Sequence, residues 1–260
     1  MITNNTERQI IKRKSIREIE FMRESGKIAA AALKLAGNMV KVGATTQNIN
    51  KAVHNFILSK RAVPVFLGYR DFPASICISI NEEVIHGIPS GRRIQNGDIV
   101  SIDIGVQKNG YIGDCAATFI AGTAVKESLR LIETTKQCFY EGLKFARVGY
   151  RVSDISRAIQ NHAEENGYSV VTKYVGHGVG SELHEFPEIP NYVEKPRKHP
   201  NPRLVSGMTI AIEPMVNLGK SEVIVLDDNQ TVITADGKNS AHYEHTVLIT
   251  KGDPEILTVC

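Results

Sequence analysis

Long apolar runs, paired cysteines and a strong charge imbalance are all missing from this chain of 260 residues. The longest apolar run, Ile28 to Leu33, is far too short to span a bilayer, and the N-terminus has no apolar segment of signal-peptide type. The four cysteines form no CxxC pair, which argues against a disulfide framework or a zinc ribbon. A net charge of +3 is too small to indicate nucleic-acid binding. The sequence therefore predicts a cytoplasmic globular protein with no membrane partner.

The segment from Gly97 to Ile120 has the pattern of a β-hairpin. Apolar residues alternate with polar ones before Asn109-Gly110, a dipeptide typical of a tight two-residue turn. In that register Asp103 and Asp114 become diagonal neighbours, roughly 7–8 Å apart, on the face opposite the apolar one. The two carboxylates can then converge on one site. A solvated polar face with two ordinary surface acids fits the hairpin alone about equally well.

The hairpin's first strand has a counterpart later in the chain. Gly97 to Asp103 recurs as Gly207 to Glu213, with a glycine at the start, alternating apolar residues and an acid at the end. Upstream of these strands, the pair Val42-Gly43 of the first half has a counterpart in Val148-Gly149 of the second. Two matches in the same order and at nearly the same offset predict two related halves. An acid at the same place in each half suggests a site on a pseudo-two-fold axis.

The order of the predicted elements is two helices, strands, two helices and strands. A capping box at Ser15 predicts the start of the first helix, and single strands are expected over residues 207–217 and 241–250. We therefore predict an α+β fold in which one antiparallel sheet is backed by four helices. Residues 15–260 form a single domain with halves of about 15–120 and 121–260, preceded by a flexible segment over residues 1–14.

Five residues are candidates for metal binding: Asp103, Asp114, His177, Glu213 and Glu244. Four ionised carboxylates cannot share one dry site, because like charges raise each other's pKa steeply. Two divalent cations would balance their charge, and carboxylates with one imidazole suit cobalt, manganese, iron or zinc. Each acid taken singly is more often a surface residue, so the prediction of a metal site depends on the whole set.

Short motifs recur along the chain around these candidates: Ile76–Glu82, His86–Pro89, Gly97–Asp103, Gly113-Asp114, Gly176–Gly180, His184-Glu185, Glu213-Pro214 and Tyr243–Thr246. In these motifs the chain resembles the methionine aminopeptidases of the short bacterial type I, which belong to the pita-bread fold family. The resemblance runs from about Ser15 to Leu257 and implies the pita-bread fold and metal-dependent removal of an N-terminal methionine.

The resemblance also implies a role for each candidate ligand. Asp103 would chelate one metal, and His177 and Glu213 would bind the other. Asp114 and Glu244 would bridge the two ions. A hydroxide between the metals would attack the peptide carbonyl, as is typical of dinuclear hydrolases.

Catalysis and substrate binding involve further residues by the same resemblance. Glu213 would move the proton of the attacking water, His184 would donate to the developing oxyanion, and His86 would contact the scissile amide. The expected substrate is a nascent polypeptide with a small second residue. Contact with the ribosome near the exit tunnel is plausible, and a monomer is the family default. The expected substrate-binding residues are Tyr69, Phe72, Cys77, His86, Leu183, His184 and Met215.

Three positions depart from the family pattern. The chain has no tryptophan, and Gln230 stands where some members place one beside the methionine pocket. His242 stands where glutamine is common, and Cys115 follows Asp114 where threonine or another small residue is more usual. None of these changes removes a ligand, so they concern the selectivity of the pocket and not the reaction.

Three related classes fit the sequence less well. Proline-specific peptidases of this fold usually carry an extra N-terminal domain, whereas about 15 residues precede the first helix here. Binding proteins of this fold that have lost their metals lack the acidic ligands. The type II enzymes carry a helical insertion, for which the interval from His184 to Glu213 leaves little room.

Overall fold

The computed structural model describes residues 10–193, 196 and 199–259. The helices are α1 Ile16–Met39, α2 Thr46–Ser59, α3 Lys126–Leu143 and α4 Val152–Glu165, with a short 3-10 turn at Tyr69–Asp71. The strands are β1 Val63–Pro64, β2 Cys77–Ile80, β3 Glu83–Ile85, β4 Ile99–Lys108, β5 Tyr111–Ile120, β6 Ser169–Val170, β7 Gly176–Gly178, β8 Glu185–Ile189, β9 Thr209–Ile212, β10 Met215–Asn217, β11 Val223–Val225, β12 Val232–Thr234, β13 Ser240–His242, β14 Glu244–Leu248 and β15 Glu255–Ile256.

The first helix begins where the sequence predicts, and both N-terminal helices have a side-chain cap. The Ser15 hydroxyl accepts a hydrogen bond from the Glu18 backbone N–H, and the Glu18 carboxylate accepts one from the Ser15 N–H, which completes a capping box. At α2 the Thr45 side chain accepts from the Asn48 N–H. These local bonds satisfy backbone donors that the first turn of a helix leaves unpaired.

The strands form three antiparallel sheets rather than the single sheet predicted. Nine strands make the largest sheet, whose central order is β1-β4-β5-β14-β9-β7-β8. The smaller sheets have the orders β13-β10-β6 and β11-β12-β3. The predicted strand over 207–217 is interrupted at Glu213-Pro214, and the one over 241–250 at Tyr243. At the first break, Pro214 has no N–H to donate to a neighbouring strand. At both breaks the chain passes between the largest sheet and a smaller one.

The two halves repeat the same backbone contacts. Thr45 bridges to Arg93 in the first half, as Arg151 does to Arg203 in the second. The glycines that open the repeated strands both have positive φ, 93° at Gly97 and 90° at Gly207. The Gly97 N–H donates to the Ala121 carbonyl at 2.8 Å, and the Gly207 N–H to the Ile249 carbonyl at 3.0 Å. The pseudo-two-fold duplication is therefore present in the hydrogen-bond pattern.

Each pair of helices packs on its own half of the largest sheet. Leu33 of α1 and Ile49 of α2 share a core with Ile102 of β4. Phe139 of α3 and Ile159 of α4 lie in a separate core that includes strand β9. No helix among the described residues is long and apolar enough to cross a membrane.

The end of the predicted N-terminal segment contacts the second half. The Lys14 N–H donates to the Gly207 carbonyl at 2.7 Å, and its ammonium group lies 2.6 Å from a Glu185 carboxylate oxygen. Lys14, the last residue of the segment predicted to be flexible, therefore has a buried ion pair and a backbone hydrogen bond to the second half. Residues 1–9 lie outside the described residues.

Candidate metal centre and active site

The β4–β5 hairpin has the register that the sequence predicts. Lys108 lies opposite Tyr111, which leaves Asn109 and Gly110 as the turn. Asp103 then faces Ala116 and Asp114 faces Gly105, so the two acids are diagonal neighbours. The Thr246 hydroxyl fixes the backbone of Asp114 from β14, since it accepts from the Asp114 N–H and donates to the Asp114 carbonyl, each at 2.9 Å.

The second half adds two carboxylates where its strands change sheets. Glu244 begins β14 and lies opposite Ala116 of the hairpin, while Glu213 directly follows β9. The Asn191 side-chain amide donates to the backbone carbonyl of Glu213 at 2.9 Å and so holds the chain where β9 ends. Each break therefore places a carboxylate beside the acids of the first half.

His177 on β7 completes the cluster. Its Nδ1 donates to the Gly178 carbonyl at 2.9 Å, because a carbonyl can only accept. Nε2 is consequently the nitrogen that offers a lone pair to the site. It lies 3.4 Å from Glu213 Oε1 and 3.9 Å from Asp114 Oδ2. Ligand atoms of Asp114, His177 and Glu244 all lie within 4.8 Å of one another.

The electrostatics of the cluster suit a cation. Burial, followed by the charges of neighbouring acids, raises the pKa values of Asp103, Glu213 and Glu244 well above the ordinary range. Burial also raises the pKa of Asp114 to about 7. It lowers the pKa of His177 to about 4, which keeps the imidazole neutral. Four crowded carboxylates beside a neutral nitrogen are more stable with divalent cations between them.

Unpaired oxygen atoms provide a direct test of that fit. Three buried oxygens have no hydrogen-bond partner among the residues that the structure describes: Asp103 Oδ1, Asp114 Oδ1 and Glu244 Oε1. Buried acceptors without partners are rare in folded proteins, because each has lost its hydration without replacement. Oxygen and imidazole nitrogen are also donors that cobalt, manganese, iron and zinc accept. The residues present therefore fit a divalent metal site.

A cavity of about 510 Å³ opens onto this cluster. All five candidate ligands line it, and six of the seven predicted substrate-binding residues do so as well. Met215 does not, because it is fully buried and packs against Val84, Ile85, Val171 and Val232. The break at Pro214 ends the alternation that would have kept residue 215 on the face of Glu213. The residues that do line the cavity are Tyr69, Phe72, Cys77, His86, Leu183 and His184.

Two histidines in the cavity are neutral and oriented. The Tyr69 hydroxyl lies 2.7 Å from His184 Nδ1, and the two rings stack with centroids 5.3 Å apart. The His184 ring also lies 4.2 Å from that of His177. His86 has a φ of 59° and meets the edge of the Tyr174 ring. Burial lowers the pKa of His184 to about 3 and that of His86 to about 4.

Several residues that line the cavity were not predicted from the sequence as site residues. Arg70 and Lys173 are exposed at it, and Tyr174 forms part of the wall beside His86. The Gln230 side-chain amide donates to the Arg70 carbonyl at 3.0 Å, so the tip of the β11–β12 hairpin closes one edge. Only their proximity in sequence to Tyr69 and the glycine-rich loop could have suggested Arg70, Lys173 and Tyr174.

Comparison with known proteins gives consistent matches along the chain. The family model described as metallopeptidase family M24 matches residues 20–251. The methionine aminopeptidase of Clostridium acetobutylicum is 49% identical over 244 residues, which cover 94% of this chain and 96% of that protein. Methionine aminopeptidase 1 of Bacillus subtilis is 47% identical, with coverage of 94% and 98%. A crystal structure of methionine aminopeptidase from Thermotoga maritima superposes with a TM-score of 0.93 at 40% identity, covering 96% of this chain and all of that one.

Proposed function

This chain belongs to metallopeptidase family M24, and from that premise we propose that it removes the N-terminal methionine of polypeptides whose second residue is small. The observation that carries the proposal is the arrangement of one cavity. The carboxylate cluster lines it together with two neutral histidines and a group of apolar side chains: Tyr69, Phe72, Cys77 and Leu183. A cluster able to hold metals next to an apolar slot suits hydrolysis of a peptide bond beside an apolar residue.

The residues proposed to hold the metals are Asp103, Asp114, His177, Glu213 and Glu244. A pair of divalent ions, when bound, would supply a water of lowered pKa and polarise the scissile carbonyl. We propose cobalt, manganese, iron or zinc, because oxygen donors with a single imidazole are compatible with all four. The neutral state of His177 keeps its Nε2 lone pair available at physiological pH.

Three side chains carry the proton chemistry in this proposal. Glu213 accepts the proton of the attacking water on a carboxylate oxygen and delivers it to the leaving amine. When the Tyr69 hydroxyl donates to His184 Nδ1, the proton of the neutral imidazole lies on Nε2. That N–H can then donate to the oxyanion that develops on the carbonyl. His86 contacts the scissile amide from the first half.

The same cavity accounts for the proposed selectivity. Phe72 and Leu183 are buried in one apolar cluster, and Tyr69 packs against it. Such a slot accepts a long, flexible thioether and its near-isostere norleucine, because an apolar pocket discriminates single methylenes by only ~1–3 kcal/mol. The second residue must pack against the end of the site that the histidines occupy. A small side chain fits there and a long one is excluded.

A peptide panel with controlled metal loading tests the proposal. The protein is stripped with a chelator, reloaded with manganese, cobalt or iron, and assayed on Met-Ala-Ser, norleucine-Ala-Ser, Met-Lys-Ser and an Xaa-Pro peptide. We expect hydrolysis only with metal, measurable turnover of the norleucine peptide, and at least about tenfold slower cleavage of Met-Lys-Ser. Preference for the Xaa-Pro peptide, or full activity without metal, would contradict the proposal.

The cellular setting remains a prediction from the resemblance. We propose that the substrates are nascent polypeptides in the cytoplasm, and that the protein acts as a monomer near the exit tunnel of the ribosome. Translation starts with methionine, so an enzyme of this selectivity would meet its substrates there. Sedimentation with purified ribosomes, with and without a nascent chain, measures the association directly.

A further inference from the structure

Residues 12–14, here called the N-terminal strap, cross the second half immediately before α1. The Arg13 Nε donates to the Ser206 carbonyl at 2.9 Å, and the Lys14 N–H donates to the Gly207 carbonyl at 2.7 Å. Gly207 precedes β9, the strand that leads to Glu213. The strap is thus attached by its backbone to the base of a strand that reaches the active site.

The Lys14 side chain makes a second, buried attachment. Its Nζ lies 2.6 Å from Glu185 Oε2, and the two side chains are only 5% and 2% exposed. The other carboxylate oxygen, Oε1, accepts from the Ser181 hydroxyl and the Glu182 N–H, each at 3.4 Å. The exposed Lys12 approaches the same oxygen at 3.5 Å. The Glu185 carboxylate therefore joins the strap to the loop of residues 180–185.

This loop carries the catalytic His184, the residue immediately before Glu185. The packing under the loop is tight, since a Cβ on Gly180 would lie 2.6 Å from Glu185 Oε1 and 2.5 Å from Lys14 Cε. His184 lines the cavity, and its Nδ1 lies 2.7 Å from the Tyr69 hydroxyl. Its neighbour in the chain, Glu185, is the residue whose carboxylate lies 2.6 Å from the Lys14 ammonium.

We propose that Lys14 is a positioning residue for catalysis, which holds His184 in place through the buried Glu185 carboxylate. The inference depends on the proposed function, because it assigns His184 the oxyanion-stabilising role. A small displacement of the imidazole would leave substrate binding almost intact and weaken the hydrogen bond to the transition state. Displacements of this kind can cost about 100-fold in rate. Lys14 would thus influence the chemical step without touching the substrate.

Kinetics of Lys14→Met and of two companion variants test this role. We expect Lys14→Met to lower kcat on Met-Ala-Ser by about 10- to 100-fold while KM changes less than about threefold. Metal content measured by mass spectrometry should equal that of the wild type. Lys51→Met removes an exposed lysine charge from α2, away from the strap, and should leave kcat unchanged. Lys14→Arg retains the charge and should restore much of the lost rate.

Two double variants distinguish an effect on the position of His184 from a loss of folding stability. If Lys14 acts through His184, adding Lys14→Met to His184→Ala should lower kcat no further. In Lys14→Met/Glu185→Gln both buried charges are absent, so the unfolding midpoint should recover, while the link to the strap stays broken and kcat stays low. The inference would be overturned if Lys14→Met lowered kcat equally in the wild-type and His184→Ala proteins. It would also be overturned if kcat recovered together with the unfolding midpoint in Lys14→Met/Glu185→Gln. Wild-type protein that is inactive on Met-Ala-Ser with every metal would overturn the proposed function, and this inference with it.

Discussion

The two halves of the molecule deliver their acids by different means. In the first half, Asp103 and Asp114 lie on two unbroken ten-residue strands joined by a two-residue turn. In the second half, Glu213 and Glu244 stand where β9 ends and β14 begins. The chain between them forms strands of both smaller sheets. The repeated backbone is the same, but a rigid hairpin presents the acids in one half and a change of sheet presents them in the other.

This difference explains where the cavity lies. Strand β3, which leads to His86, pairs with β12 of the second half, so one of the smaller sheets spans both halves. The β12 hairpin also brings Gln230 to Arg70 at the cavity edge. A second unbroken hairpin would have left no such connection. The breaks in the second half thus supply wall residues that a strictly symmetric molecule would lack.

The largest effect is expected from substituting one metal ligand in each half, which tests whether the halves contribute equally to the metal site. Asp114→Asn and Glu244→Gln each remove a charge from the shared cluster. Substituting partners outside a ligand set already costs about 10- to 100-fold in metal affinity or activity, so each ligand change should cost more than about 100-fold. Metal content and Met-Ala-Ser hydrolysis are measured beside Asp227→Asn, an exposed acid on the hairpin tip. Loss of metal in only one variant would show that one half dominates.

The same contrast explains what could be predicted from the sequence. Asn109-Gly110 is a local signal that fixes the register of the first hairpin, and the placement of Asp103 and Asp114 followed from it. The break after β9 has only Pro214 as a local signal. It is completed by distant partners, since the Tyr243 N–H bonds to the Pro214 carbonyl at 3.2 Å. Met215, which the resemblance implied as a substrate-binding residue, consequently lies in a buried apolar cluster outside the cavity lining.

The site residues likewise divide into those that the sequence indicates and those that depend on distant contacts. The resemblance supplied a set of ligands and histidines that all line one cavity. Nothing in the sequence pattern indicated that Lys14 pairs with Glu185, because 171 residues separate them. Contacts of that kind depend on how the two halves and the strap pack together. Lys14 lies at the C-terminal end of the segment predicted to be flexible, and it makes these contacts with the second half.

A moderate loss of stability, equal in the two halves, is expected from replacing one glycine in each half by alanine. Gly43 and Gly149 occupy matching positions before α2 and α4, with φ of 87° and 104°, and no atom of the described residues lies within 4 Å of a Cβ added to either. Alanine at either position is strained by positive φ without a steric clash, so each change should lower the free energy of unfolding by about 1–2 kcal/mol. Gly91→Ala, in open space and without positive φ, is the control. Urea denaturation that gave clearly unequal values would break the correspondence.

The smallest effect concerns a helix start that the halves do not share. α1 has a capping box, whereas α3 begins after Val125 with no side-chain cap. Hydrogen bonds from Ser15, and then from the Tyr111 hydroxyl, lower the pKa of Glu18 from 4.5 to about 2. A carboxylate with a lowered folded-state pKa stabilises the protein above about pH 4.5, and this contribution is lost as pH falls toward 2.

Glu18→Gln should therefore destabilise the protein at pH 7 by roughly 0.5 kcal/mol, at the low end for caps because the carboxylate is exposed to solvent. The difference from wild type should shrink as the pH is lowered from about 4.5 to 2, the range over which the Glu18 carboxylate gains its proton. Glu127→Gln, in the first turn of the uncapped α3, is the matched substitution and should cost less at pH 7. Unfolding curves recorded at several pH values provide the comparison. An undiminished Glu18→Gln deficit at pH 2 would mean that the carboxylate charge contributes nothing at this helix start, and the halves would then differ here in sequence but not in energy.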